Sequence, residues 1–208
     1  MKVRESGMPN EKIWKEFFEL ESVLCILELN HNVTDVVEFG SGYGTFTIPA
    51  SKTVKRIVYA NDIEEKIYNI VAERAIEEKI NNIKIMLRGF VNEGSGLEDR
   101  SVDYAMLFNS LHAEKPKELL KEAYRILKPG GKLGVIHWNY DPETPRGPPM
   151  TIRPRPERCI KWAIEVGFNF KNRHDLGPYH FGLVFSKPDM ELNSVILCDH
   201  NEAIDVRY

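Results

Sequence analysis

Apolar residues fall along this chain in two rhythms, one at helical spacing and one at strand spacing. From Asn10 they recur at Ile13, Phe17, Leu20, Leu24 and Leu27, with Trp14 and Phe18 alongside: a helical stripe with room for a break near Phe18. A buried strand follows at 36–39. A short helix is predicted from Thr45 to about Thr53, where Pro49 removes a hydrogen bond and should shorten or kink it. Residues 56–61 read as a second strand and Glu64 to Lys79 as a helix with Ile67, Ile70, Val71 and Ala75 on one face. Residues 83–87 alternate as a third strand, 91–101 read as loop, and 102–108 as a fourth strand ending at Asn109. Pro116 suits a helix start, and Leu119, Leu120, Ala123, Tyr124, Ile126 and Leu127 supply that helix's buried face. Lys128-Pro129-Gly130-Gly131 reads as a stop and turn before a fifth strand from Lys132 to Trp138.

From Asn139 the composition changes. Prolines at 142, 145, 148, 149, 154 and 156, with Gly147, exclude helix and central strand and predict a long ordered loop over the carboxyl ends of the strands. Residues 157–166 then read as a helix, and 168–174 and 179–186 as two strands joined by Leu176-Gly177-Pro178. The regular β–α alternation predicts an α/β protein with a mostly parallel, doubly wound sheet covered by helices on both faces.

One stretch organises this pattern: Val36-Val37-Glu38-Phe39-Gly40-Ser41-Gly42-Tyr43-Gly44. A chain that leaves a buried strand and turns into a helix needs glycine there, for positive φ and for close approach of backbone to a ligand. The helix start beyond it presents free N–H groups and a positive dipole end. The dinucleotide fingerprint has its third glycine five positions after the first. Here Gly44 lies four after Gly40, and an acid, Glu38, stands two before it. An acid there suits a cationic ligand better than a pyrophosphate. The second strand ends in Asp62, 22 residues after Gly40, placed to accept hydrogen bonds from a ribose diol.

Together these residues resemble the first two motifs of the class I S-adenosylmethionine-dependent methyltransferases, and Leu127-Lys128-Pro129-Gly130-Gly131 before the fifth strand is similar to the same family. The resemblance covers roughly residues 33–139. It implies a Rossmann-like, seven-stranded sheet whose last strand pair includes one antiparallel strand, with S-adenosylmethionine as cofactor. Residues 1–32 form an N-terminal helical cap on this reading, 33–188 the methyltransferase domain, and 189–208 a C-terminal extension. By the same resemblance Gly40, Ser41, Gly42 and Gly44 line the methionine and ribose portions, and Glu38 favours the amino end. Asp62 takes the ribose hydroxyls, Ile63 lies against the adenine, and Asn109 sits near the methionine end. The family often carries an acid just after the third strand; here that position reads Gly89-Phe90-Val91, so Phe90 stacks or packs instead.

Such a reaction requires binding, alignment and water exclusion rather than a protein nucleophile. His112, just after the fourth strand, and His137, near the end of the fifth, stand where a methyl acceptor would approach, and either is a candidate general base. His174 and His180 flank the last hairpin but do not compel a metal site, and none is expected. Arg146, Arg153 and Arg155 are candidates for recognising an anionic substrate group. The proline-rich loop is expected to act as a lid over both candidate bases.

Strand four ends Phe108-Asn109-Ser110-Leu111, without the Asn/Asp-Pro-Pro-aromatic motif of amino-methylating nucleic-acid enzymes, and there is no Pro-Cys pair for cytosine attack. The net charge of −3 gives no electrostatic footprint for nucleic acid. The expected acceptor is therefore a small molecule. No apolar run approaches the ~18 residues needed to span a bilayer, and no secretory leader is evident. Three scattered cysteines point to reduced thiols and a cytoplasmic protein. The run Val195-Ile196-Leu197 in the extension is expected to pair as a strand, within the chain or between copies in a homo-oligomer. A nicotinamide-dependent oxidoreductase and a methyltransferase-like binding or regulatory module with little turnover are the rival readings.

Overall fold

A computed structural model describes residues 19–189. The stripe residues from Ile13 to Phe18 and the tail run Val195–Leu197 lie outside the described residues. Strands β1 (Val36–Phe39), β2 (Val58–Asp62), β3 (Ile83–Leu87), β4 (Val102–Phe108), β5 (Leu127–Trp138), β6 (Asn169–Asp175) and β7 (His180–Ser186) form one sheet in the order β3-β2-β1-β4-β5-β7-β6. Pairing is parallel from β3 to β5, while β7 runs antiparallel to both β5 and β6. This is the Rossmann-like, seven-stranded sheet with an antiparallel last pair that the resemblance implied. The antiparallel return after β5 leaves no second parallel mononucleotide-binding half, so the oxidoreductase reading has no support here.

The helices are α1 (Leu20–Ile26), α2 (Thr47–Thr53), α3 (Glu65–Glu77), α4 (Phe90–Glu93), α5 (Pro116–Ile126) and α6 (Pro156–Val166). Because strand side chains alternate between faces, each central strand feeds two cores. Tyr104, Met106 and Phe108 of β4 join Ile136 and Trp138 of β5 against Val23 and Leu24 of α1 and Ala50 of α2. Ala105 and Leu107 join Leu133 and Val135 against Leu119 and Ala123 of α5 and Cys159 and Ala163 of α6. Near-continuous burial of β1 and β4 is what a parallel strand covered on both faces requires.

Three elements differ from the sequence reading, each for a local reason. Helix α2 begins at Thr47 rather than Thr45, and Pro49 is its third residue, inside the first turn, where no N–H has an intrahelical acceptor. A short helix, α4, occupies the start of the segment read as loop. Strand β5 begins at Leu127 and runs through Pro129-Gly130-Gly131. Leu127 pairs with Val102 and the register then shifts, with Gly130 at φ +73°. The Gly130 N–H donates to Lys187 O at 3.0 Å and the Lys187 N–H to Gly131 O at 2.8 Å. The expected turn is absorbed as an irregularity in the sheet, the setting in which a strand tolerates proline and glycine.

Candidate active site at the sheet's switch point

Strand order reverses between β1 and β4: β1 leads outward to β2 and β3, β4 to β5. The loops at those two carboxyl ends part and leave a crevice, the general ligand position in open α/β sheets. A cavity of about 390 Å³ lies there, walled by Glu38 and Phe39, the glycine turn, Asp62 and Ile63, Gly89 and Phe90, and Phe108 to Ser110 with His112. Its size falls in the range of small-molecule sites.

The glycine turn is built by the chain ends around it. The N–H groups of Gly40 and Ser41 both donate to Asn61 O, at 2.8 and 3.0 Å, tying the turn to the end of β2. Gly40 holds φ +78°, where a side chain is strained, and its open face borders the cavity. Gly44 does a different job. It does not line the cavity; a methyl group there would press on Val71 of α3 at 3.3 Å, so this glycine lets α3 pack closely against the turn.

Asp62 joins these parts. Its carboxylate accepts from the Gly42 N–H at 3.0 Å and from the Ile63 and Glu64 N–H groups at 2.8 and 3.1 Å. One residue thus fixes the turn and opens the approach to α3 while remaining on the cavity wall. Glu38 projects from β1 with 2% of its surface exposed and accepts from the Thr47 hydroxyl at 2.5 Å. Burial raises its carboxyl to about 8, against the opposing pull of that hydrogen bond, and the nearby Asp62 charge adds to the rise.

Phe90 packs edge-on against Phe39, ring centres 5.6 Å apart, and its outer edge meets the cavity below Gly40. Asn109 takes φ +52°, a left-handed conformation that asparagine tolerates, and its N–H donates to Ile136 O at 2.7 Å. Four buried side-chain atoms on this wall lack a hydrogen-bond partner among the described residues: Ser41 Oγ, Asn109 Oδ1, Ser110 Oγ and His112 Nε2. Buried polar atoms are normally satisfied, so four orphans among the residues of one cavity wall are consistent with a polar ligand there. An S-adenosyl group fits this set, with Glu38 for its amino end and Asp62 for its diol.

His112 reaches the cavity and His137 does not. His137 lies fully buried behind it, with His137 Nε2 3.4 Å from His112 Nδ1. Its placement removes it from contact with any ligand in the cavity. Burial lowers the His112 imidazole to about 4, helped by the Arg153 charge, and His180 to about 3; His137 is held well below the usual range by burial and by His112. All three rings are neutral at physiological pH.

The proline-rich segment leaves the carboxyl end of β5, but none of its residues lines the cavity. Arg153, 7% exposed, gathers it instead. The guanidinium donates to Pro148 O, Asn139 O, Asp141 O, Arg146 O and Thr144 Oγ1, and lies 6.0 Å from the Trp138 ring. The loop is drawn into a compact knot beside the site, so Arg153 is spent on backbone carbonyls rather than on a substrate anion. Arg155 stacks on Tyr140 at 3.9 Å. Among the described residues no His, Cys, Asp and Glu cluster suits a metal ion.

Residues the sequence reading passed over also face the cavity: Tyr43, Thr45, Phe46, Phe108, Ser110, Asn92 and Glu93. Position was the available signal for Ser110, next to Asn109 at the end of a central strand. Nothing local marks Asn92 or Glu93, which arrive through α4.

The strand order and the glycine turn define a Rossmann-like fold. Residues 37–135, just under half of the chain, match the family described as a methyltransferase domain. It is 30% identical over 135 residues to a ubiquinone/menaquinone biosynthesis C-methyltransferase of Rickettsia prowazekii, covering 62% of this chain and 51% of that protein. A solved S-adenosylmethionine-dependent methyltransferase from Aquifex aeolicus is 25% identical, with TM-score 0.75, over 86% of this chain and 98% of that one. The [4+2]-cyclase SpnF shares the fold at TM-score 0.69 and 15% identity, over 81% of each chain. The chain spans about half the length of the curated relatives it matches.

Proposed function

We propose that this protein transfers the methyl group of S-adenosylmethionine to a small-molecule acceptor by in-line displacement. The observation that carries this reading is the convergence of Glu38, the Gly40–Gly42 turn and Asp62 on one cavity at the switch point. A fold shared with a cyclase does not name a reaction, so the site bears the weight. The bound cofactor supplies an electrophilic methyl group. What the chain supplies is charge, shape and dryness.

Glu38 and Asp62 set two carboxyl groups about the glycine turn, and a cationic ligand that also carries a diol would draw Glu38 into its anionic form. Ser41, Ser110 and Asn109 offer hydrogen bonds at the wall between them. Phe46, Phe90 and Phe108 make the remainder apolar, which excludes water where a nucleophile must meet a sulfonium. The acceptor enters from the ends of β4 and β5, since the turn after β1 holds the cofactor. His112 is the titratable group on that side. No described helix is long and apolar enough to cross a membrane, and Cys25 and Cys159 are free thiols, as suits the cytoplasm.

Calorimetry tests the reading. We expect S-adenosylhomocysteine to bind in the micromolar range and NAD not to bind comparably. Asp62→Ala should weaken binding by about 1–3 kcal/mol, the cost of losing hydrogen bonds to a charged acceptor. Preference for NAD, or unchanged affinity in Asp62→Ala, would falsify the assignment.

A further inference from the structure

His137 is buried behind His112, does not line the active-site cavity, and yet presents both ring nitrogens to polar neighbours. Its Nδ1 lies 3.4 Å from Trp138 O, and its Nε2 3.4 Å from His112 Nδ1. A carbonyl oxygen accepts and never donates, and a neutral imidazole carries one N–H. If Nδ1 of His137 bears that hydrogen, Nε2 is a lone pair, and His112 Nδ1 must then be the donor toward it. The remaining nitrogen, His112 Nε2, is left as a lone pair. It is also one of the four buried cavity-wall atoms without a partner among the described residues. The opposite assignment reverses the His–His hydrogen bond, with His137 Nε2–H donating to His112 Nδ1, but it aims the His137 Nδ1 lone pair at the Trp138 carbonyl oxygen in a dry interior, so the Trp138 contact decides between the two.

We propose that His137 is a positioning residue that fixes His112 as the Nδ1–H tautomer, so that His112 Nε2 receives the proton of a small, neutral acceptor bearing O–H or N–H. This rests on the methyltransferase reading above. The proton leaves the acceptor's heteroatom as that atom gains the methyl carbon and the methyl–sulfur electron pair stays on sulfur. It ends on Nε2, giving a neutral methylated product and an imidazolium that later returns the proton to water. Burial keeps the ring neutral and Nε2 unprotonated at physiological pH but also makes it a weaker base, so the proton is taken only as the methyl–heteroatom bond forms and acidifies the acceptor. His137 stacks on Phe181, ring centres 6.1 Å apart at 28°, which fixes the orientation the chain of hydrogen bonds needs.

The tautomer can be read without knowing the acceptor. Two-bond nitrogen–proton correlation spectra of the 15N-labelled 208-residue protein should show His112 and His137 both protonated at Nδ1 and bare at Nε2. Replacing His137 with Phe removes the receiving lone pair, and His112 should then lose its single tautomer. His137→Gln keeps an amide oxygen there and should restore it. A wild-type His112 protonated at Nε2 overturns the proposal, as does a His112 spectrum that His137→Phe leaves unchanged. The wild-type measurement stands even if a variant folds poorly. S-adenosylhomocysteine affinity measured on the same samples separates the two levels: failure of wild-type binding defeats the methyltransferase reading, whereas intact binding with an Nε2–H His112 defeats this inference alone.

Discussion

Glu38 carries a carboxyl group into the interior, with the Thr47 hydroxyl as its hydrogen-bond donor and Asp62 nearby. With its carboxyl raised to about 8, the side chain is mostly protonated at pH 7 in the free protein. A ligand ammonium favours the carboxylate, so binding at pH 7 should release the Glu38 proton. The sign follows: affinity rises with pH toward 8 and then levels, by up to about tenfold per pH unit for one linked proton. The ligand's own amine also titrates, so the informative quantity is the difference between wild type and Glu38→Gln. Calorimetry in two buffers of unlike ionisation enthalpy should show about one fewer proton released by the variant. Equal proton release in both would detach Glu38 from the cationic end of the ligand.

At the scale of elements, the join between β5 and α1 depends on a missing side chain. A Cβ on Gly134 would lie 2.1 Å from Tyr104 Oη, and that hydroxyl donates to Leu27 O at 2.6 Å, just past the end of α1. The ring is fully buried and cannot swing aside without giving up this bond. Gly134→Ala should therefore destabilise the fold by about 3 kcal/mol, the upper part of the overpacking range, read as a lower urea midpoint. A loss under about 0.5 kcal/mol, the scale of ordinary surface changes, would mean that Tyr104 is free to move. The same logic explains the loop beside the site: Arg153 satisfies carbonyls that a proline-rich segment cannot pair with its own scarce N–H groups.

Over the whole molecule, the buried titratable groups set a pH of greatest stability. His112, His137 and His180 have folded pKa values depressed from 6.5, so their contribution is present above 6.5 and is lost as pH falls below it. Glu38 is raised from 4.5 to about 8, so its contribution is full below 4.5 and is lost as pH rises toward 8. Between 4.5 and 6.5 the unfolded chain binds three protons more on the histidines and one fewer on Glu38, a net two, and stability climbs with pH. Between 6.5 and 8 only the Glu38 deficit remains, and stability falls. Carboxylates with lowered values, such as Glu122, act below this window. Urea midpoints of the ligand-free protein should peak near pH 6.5 and fall more steeply on the acid side. A midpoint still rising from 6.5 to 8 would contradict the buried, protonated Glu38.

What the sequence by itself determined is local: the β–α alternation, the glycine turn with Glu38 before it, Asp62 at the end of the next strand, and the helix start at Pro116. Each is a spacing of residue types whose physical requirement is met by near neighbours, so a linear reading reaches it. Tertiary structure decided the rest. Gly44 serves the packing of α3 because Val71, distant in sequence, comes to rest above it. Two histidines that look alike along the chain become a cavity-facing group and a buried support, since β4 and β5 lie side by side. The proline-rich segment became a knot around Arg153 rather than a lid, because a buried guanidinium with several donors attracts every carbonyl in reach. Pairing across a sheet, burial and the direction of a side chain depend on residues tens of positions apart, and no local pattern encodes them.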